Sequence, residues 1–450
     1  MTGSNRTADY ARRLGPFDGT MLVMGGIIGA GIFLNPAIVA HRVGTGPLTI
    51  VVWVIGGVIA LAGAFCFAEL GALRPRAGGG YVYLRDALGS LPAFLYGWTL
   101  LLVISTGAIA AVAVTFARYA AALLGLDSGA VTPLAITAIL LLSAINYCGV
   151  RPGATTQNIF TILKLVALAG LIVVGLAFAP GDAVAHSGMA DLPSPSGIGP
   201  MTAAIGVALI PVLFSYGGWQ QTNFVAEEMV KPERTLPQAL ILGVLGVVIV
   251  YVLANLAYVR QLGVDALAGS MAPAADVMSR TVGSGGARFI SAGIACSTFG
   301  FLNLVILVTP RVYQAMARDG LFFHHVARLH RRYRTPVAAI TYQASWAVIL
   351  TLSGTYDQLL DYVVFGDWIF FGLCGVAVLV FRTRDRLMTA SGFRTPGYPW
   401  VPLAFVLAAL YVVVSSVLSN PRNAALGSGL MALGLPAFLY WRRTAGAGGS

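Results

Sequence analysis

Residues 24–36 read "MGGIIGAGIFLNP". The stretch lies in an apolar run long enough to cross a bilayer. Yet it carries Gly25, Gly26, Gly29 and Gly31, with Pro36 just behind them. Backbone groups in hydrocarbon must be hydrogen-bonded, so a broken helix survives there only where it lines protein or a water-filled cavity. One glycine-rich stretch can be ordinary close packing between membrane helices. A second one changes the reading. At 211–219 the chain reads "PVLFSYGGW", and Pro211, Gly217 and Gly218 interrupt another apolar run. The two interruptions fall in the first and sixth apolar runs. That spacing is expected of two inverted five-helix repeats with a binding site between their broken helices.

The composition fits this picture. The chain has 450 residues, 57% hydrophobic and 10% charged, and its mean hydropathy is +0.81. A soluble domain carries roughly 25% charged residues. Apolar runs of about 20 residues, the length that spans a bilayer, recur from end to end. The class is an all-α polytopic membrane protein. Strand-period alternation does not recur, which argues against an outer-membrane barrel. The runs predict twelve transmembrane helices near 17–43, 46–72, 91–124, 130–149, 156–179, 199–230, 237–262, 287–317, 336–354, 358–382, 400–418 and 423–441. The loops are short, so one domain is expected.

The net charge of +11 is a topology signal. With the N-terminus inside, most basic residues fall on the cytoplasmic side, from Arg6 through Arg386 to Arg443. The other side receives only Arg42, Arg118, Arg260, Arg280, Arg288 and Arg422. The bias places both termini in the cytoplasm. No cleavable leader is evident before the first helix. Nucleic-acid binding is not indicated.

Catalytic and metal-binding patterns are missing too. Cys66, Cys148, Cys296 and Cys374 lie singly in four helices, a spacing that fits no metal site or disulfide framework. His324, His325 and His330 sit in a basic loop without partner ligands. The "AGGGYVYL" at 77–84 lacks the Lys-Ser/Thr and the preceding strand of a phosphate loop. No metal and no cofactor are expected, and an enzyme is disfavoured.

Four stretches carry a family resemblance. "GGIIGAGIF" resembles the helix-one signature of the amino acid–polyamine–organocation superfamily. "ELGALRPRAGGGYVYL" at 69–84 is similar to that superfamily's loop after helix two. "LFSYGGWQQTNFVAEEMVKPERTLPQA" at 213–239 resembles helix six and its exit in the L-type amino acid transporter branch. "STFGFLNLVILVTPRVYQAMARDGLF" at 297–322 is similar to helix eight. The resemblance implies a LeuT-type 5+5 inverted repeat, with one half at about 17–179 and the other at about 199–382. Helices eleven and twelve, at about 400–441, are appended.

The site that the resemblance implies has a physical basis. A break frees N–H groups at the start of the second half-helix, where the helix dipole is positive, and a carboxylate can sit on them. The donors here are Gly29, Ala30 and Gly31. The carbonyls of Ile27, Phe214, Ser215 and Gly217 can accept from an α-ammonium. Tyr216, Trp219, Gln220, Ser297 and Asn303 are wall candidates, each equally readable as helix packing. Phe214 resembles the family's gating aromatic. Lys164, in "FTILKLVALAGL", is one of two lysines in the chain. It either snorkels to the cytoplasmic face or replaces a sodium ion by bonding helix-one carbonyls and the hydroxyl of Ser297 or Thr298.

Other embedded charges stay open. Glu227 and Glu228 lie near Lys231 and Arg234, as a gate or a solvated helix end. Glu69 lies near Arg74 and Arg76. Asp361 and Asp367 lie in helix ten, where a carboxylate needs a partner or a proton. The resemblance implies sodium-independent transport of amino acids, by exchange or facilitated flux and alternating access. Proton-coupled amino acid or polyamine symport is the alternative, and a channel or membrane receptor is more distant. The loop "GLDSGAVTP" after helix three lacks the cysteine that joins animal L-type members to a heavy chain, so no such subunit is expected.

Overall fold

The computed structural model describes residues 10–178, 197–354, 356–384, 392–419 and 421–447. Arg6, Arg386 and the side chain of Asp361 lie outside the described residues. Every regular element among the described residues is helical. Among the described residues, ten helices are long and apolar enough to cross a membrane, or eleven when one bent pair counts as a span. Val337–Ser353, at 17 residues, is a shorter apolar helix where the ninth is expected.

The bent pair is the opening stretch. Helix α1 (Pro16–Ile27) and helix α2 (Gly31–Val43) meet at 43°. The break comes where Ile28 leaves helical geometry at ψ 91. The sixth run, expected over 199–230 with a break at its glycines, is also two pieces. An α-helix over Ile198–Tyr216 ends at Gly217, whose ψ is 160. Gly218 then takes φ +110, a left-handed conformation that only glycine holds without strain. The chain continues as a 3-10 segment, Trp219–Glu228.

The two breaks touch each other through backbone. A Cβ on Gly26 would stand 2.8 Å from the Gly218 carbonyl oxygen, and one on Gly218 would collide with the Gly26 carbonyl. Gly25 packs against Gln157 and Thr161 of the helix Val150–Ala177. The glycines of the first run therefore serve two purposes. Gly25 and Gly26 are close-packing residues, and Gly29 lies in the break with its nearest neighbour, Phe301, 3.8 Å from an added Cβ.

Two boundaries matter for the site. The fifth spanning helix begins at Val150, earlier than the expected 156, so Lys164 lies about four turns inside it. The third span, Ser90–Leu124, contains a π-helical turn at Leu100–Ile104. Such turns widen a helix locally and often mark functional places. The glycines at 78–80 have a packing role. Gly78 and Gly79 have positive φ, the Gly78 N–H donates to the Phe224 carbonyl at 3.0 Å, and a Cβ on Gly79 would meet the Asn223 backbone. This loop holds the exit of the 3-10 segment, after which the short helix Gly80–Leu88 begins.

Candidate functional site

The break in the first span is held from behind by two side chains. Lys164 is fully buried. Its ammonium donates to the carbonyls of Gly25 at 2.9 Å and Ile28 at 2.6 Å. Ser297 donates to Ile28 and Gly29 carbonyls, both at 3.1 Å. Lys164 and Ser297 thus meet through the shared Ile28 carbonyl and do not bond each other. Thr298 donates instead to Ile294 and Ala295 of its own helix. A buried ammonium needs oxygen partners, and the freed carbonyls of a broken helix supply them. Buried and about four turns into its helix, Lys164 does not snorkel to the helix end.

The ligand-facing groups divide into engaged and open ones. The Gly29 N–H donates to the Ile27 carbonyl at 2.9 Å, so this expected donor is used internally. Ala30, Gly31 and Ile32 start α2 and have no carbonyl four residues back in the same helix, so they are its open N-terminal donors. The Tyr251 hydroxyl lies 3.1 Å from the Ile27 carbonyl and 3.2 Å from the Ser215 carbonyl. It bridges the two breaks with its single proton. The Phe214 carbonyl accepts from the Gly217 N–H at 3.1 Å. With two lone pairs each, Phe214 and Ser215 keep one acceptor position, and both positions on Ile27 are taken.

The walls are more tightly packed than a list of polar and aromatic types suggests. Tyr216 is buried in a cluster with Trp53 and Tyr251. Trp219 is buried against Phe67, Phe371 and Phe405. The Gln220 side chain caps the break by accepting from the Gly218 N–H at 3.0 Å. Asn303 bonds Asn146, Gly153 and Gln157 behind α1. Phe214 differs from these, being 41% exposed. On the far side of the break, Asn35 of α2 donates to the Pro211 carbonyl and the Ser215 hydroxyl, at 3.0 and 2.8 Å. A Cβ on Gly31 would stand 2.6 Å from that hydroxyl.

One end of the bundle is closed by a charge network. Glu228 pairs with Arg311 at 2.7 Å, both side chains almost fully buried; neither Lys231 nor Arg234 is its partner. Arg311 also donates to the Leu307 carbonyl, and its guanidinium lies over the Tyr10 ring. The N–H groups of Arg13 and Leu14 donate to the Glu228 carbonyl, and Val230 donates back to Leu14. Glu227 accepts from the Ala77 N–H at 3.1 Å and faces Arg318 at 3.9 Å. Beside it, Tyr81 donates to Asp319 at 2.8 Å. Burial, then the Asp319 carboxylate, pushes the Tyr81 phenol well above its ordinary range and keeps it a donor.

One further correction concerns Glu69. Glu69 pairs with Arg382, at 2.6 and 2.9 Å, and not with Arg74 or Arg76. Nothing in the residue pattern singles out Arg311 or Tyr251. The one available signal for Arg311 is its place just after Pro310, where an arginine succeeds an otherwise apolar span. No cluster of His, Cys, Asp and Glu able to hold a metal occurs among the described residues.

Comparison with known proteins agrees with this architecture. A family model described as amino acid permease matches residues 14–440. The b(0,+)-type amino acid transporter 1 of Mus musculus is 30% identical over 424 residues, covering 92% of this chain and 85% of that protein. The serine/threonine exchanger SteT of Bacillus subtilis (strain 168) is 32% identical over 420 residues, covering 93% and 94%. The large neutral amino acids transporter small subunit 2 of Mus musculus is 30% identical over 445 residues, covering 94% and 80%. With two broken spans apposed through backbone and a family match over almost its whole length, the chain belongs to the amino acid permease family of membrane transporters and is not an enzyme.

Proposed function

We propose that this chain carries α-amino acids across the membrane by alternating access, independently of sodium, as an exchanger or facilitator. The observation that carries the reading is the bond of the Lys164 ammonium to the Gly25 and Ile28 carbonyls. It puts a fixed cation against the broken backbone, where a mobile ion would otherwise have to neutralise freed carbonyls. The open N–H groups of Ala30, Gly31 and Ile32 take the substrate carboxylate. The remaining acceptor positions on Phe214, Ser215 and Gly217 take its α-ammonium.

In this cycle, 17–179 and 199–382 are two arms that rock about the breaks, and 400–441 braces them. The closed end, with Arg311 and Glu228, faces the cytoplasm of a cell membrane together with both termini. The chain acts without a heavy subunit, since residues 125–130 hold no cysteine. A relative named as a small subunit keeps the paired arrangement as the alternative. Purified protein in proteoliposomes tests the reading. Uptake of a labelled amino acid should persist when choline replaces sodium and should rise with amino acid loaded inside. A strict sodium requirement overturns the fixed-cation role, and uptake driven by a pH gradient alone replaces exchange with symport.

A further inference from the structure

Helix Tyr356–Arg384 carries Asp367 about three turns from its start. Its neighbours define the direction it faces. Gly366 packs on Ile104, in the π-turn of the third span. Phe370 packs on Tyr96 of that span, with ring centroids 5.0 Å apart. Phe371, one turn further along the same face as Asp367, packs on Trp219 at 5.7 Å. Trp368 and Gly372 turn the other way, toward the helix Trp400–Ser419. Asp367 therefore faces the interior of the bundle, one turn above the aromatic contact with the sixth-span break. It is nonetheless partly exposed, whereas Phe370 and Phe371 are buried. That exposure lies on the inward face, one turn from the contact with Trp219. Among the described residues no hydrogen bond or ion pair engages its carboxylate.

A carboxylate in the membrane interior is expensive unless a cation or a proton accompanies it. Lys164 cannot serve, because its ammonium is committed to Gly25 and Ile28 behind α1. The surroundings favour a cation over a sealed, protonated acid. The carboxylate is partly exposed on the inward face, and the rings of Tyr96, Trp219, Phe370 and Phe371 pack beside it. Aromatic faces next to a carboxylate are the setting in which an alkylammonium or guanidinium is held best.

We propose that Asp367 is the side-chain subsite of the transporter and that it receives the cationic end of an amino acid with a basic side chain, of the arginine, lysine or ornithine class. The proposal rests on the transport reading above. The breaks bind the α-carboxylate and α-ammonium, and the substrate's side chain extends across the cavity to the helix carrying Asp367.

Neutral isosteres test it. Purified protein is reconstituted, and competition against a transported amino acid is measured for arginine against citrulline and for lysine against norleucine. The wild type should prefer the cationic member of each pair by at least about tenfold, the lower range for a close charge pair. Asp367→Asn should bring both ratios near one, and Asp367→Glu should restore part of the preference; monodisperse elution of each variant confirms folding. Equal potency of the isosteres in the wild type, or unchanged ratios in Asp367→Asn, overturns the proposal and leaves transport standing. So does a proton-driven uptake of neutral amino acids that Asp367→Asn abolishes, which would make the carboxyl a proton carrier. Failure of every amino acid, basic or neutral, to compete or exchange overturns the transport reading itself.

Discussion

At the scale of single residues, the break separates groups that hold the backbone from groups that face a ligand. Gly29 and Gly31 make the sharpest pair. An added methyl at Gly29 meets nothing closer than 3.8 Å, so Gly29→Ala should leave expression and thermal stability unchanged. Its loss of substrate affinity, measured by competition in proteoliposomes, then reports a ligand in that space. Gly31→Val should be worse in a different way. Its Cβ stands 2.6 Å from the Ser215 hydroxyl and 3.1 Å from its Cα, so it drives α2 away from the sixth span and should abolish uptake at normal membrane levels. Lys164→Ala removes two bonds to helix-one carbonyls, each worth roughly 1–2 kcal/mol or less in a membrane. The protein should still fold, while a shift of about 1.4 kcal/mol moves the ratio of inward- to outward-open states about tenfold. Uptake indistinguishable from wild type from both sides would remove Lys164 from the mechanism. Lys164 is legible in the sequence because a charge is out of place in hydrocarbon, and the glycines because they interrupt two spans five helices apart. Tyr251 is not, since a tyrosine in a membrane helix is ordinary until its hydroxyl is found between the Ile27 and Ser215 carbonyls.

At the scale of elements, the first and sixth spans are broken alike but continue differently. The first resumes as an α-helix, α2, which presents a full N-terminal dipole; the sixth resumes as a 3-10 segment whose carbonyls point less regularly. That asymmetry suits a carboxylate at one break and an ammonium at the other. The difference is not readable in the sequence, because Pro211 and the two glycines mark an interruption without fixing the conformation of the chain beyond it. The same segment ends in Glu228, locked to Arg311 of the eighth span. Removing one partner of a buried pair leaves an uncompensated charge, at a cost of about 3–5 kcal/mol. Glu228→Gln should therefore lower thermal stability clearly. It should also speed opening of that end, seen as faster labelling of a cysteine introduced below the breaks. Arg311→Met together with Glu228→Leu should recover stability and leave the end open more often. Equal labelling in wild type and both variants would reduce the pair to scaffolding. Spacing along the chain could not reveal this pair, because its members lie 83 residues apart and nearer basic residues offered an apparent match.

At the scale of the whole molecule, composition settles the class and helix order settles most of the architecture, since apolar runs of spanning length are read directly. Apart from the two breaks, the runs conceal what departs from a straight helix: the π-turn at Leu100–Ile104, the short helix Gly80–Leu88, and the early start at Val150 that moves Lys164 to mid-helix. If transport is an exchange, net flux requires amino acid on both sides. Proteoliposomes with an empty lumen should then take up label at a small fraction of the rate of preloaded ones, and equal rates would point to a facilitator. The contact between Gly26 and Gly218 bears on how such a protein changes over time. At Gly26 and Gly218 the two breaks meet main chain to main chain. Main-chain atoms are the same whatever residues surround them. The part of the site that reads what all α-amino acids share thus needs only that its glycines stay glycine, while the walls are free to drift. A lineage built this way can trade one substrate for another without passing through a form that has lost its grip on substrates altogether.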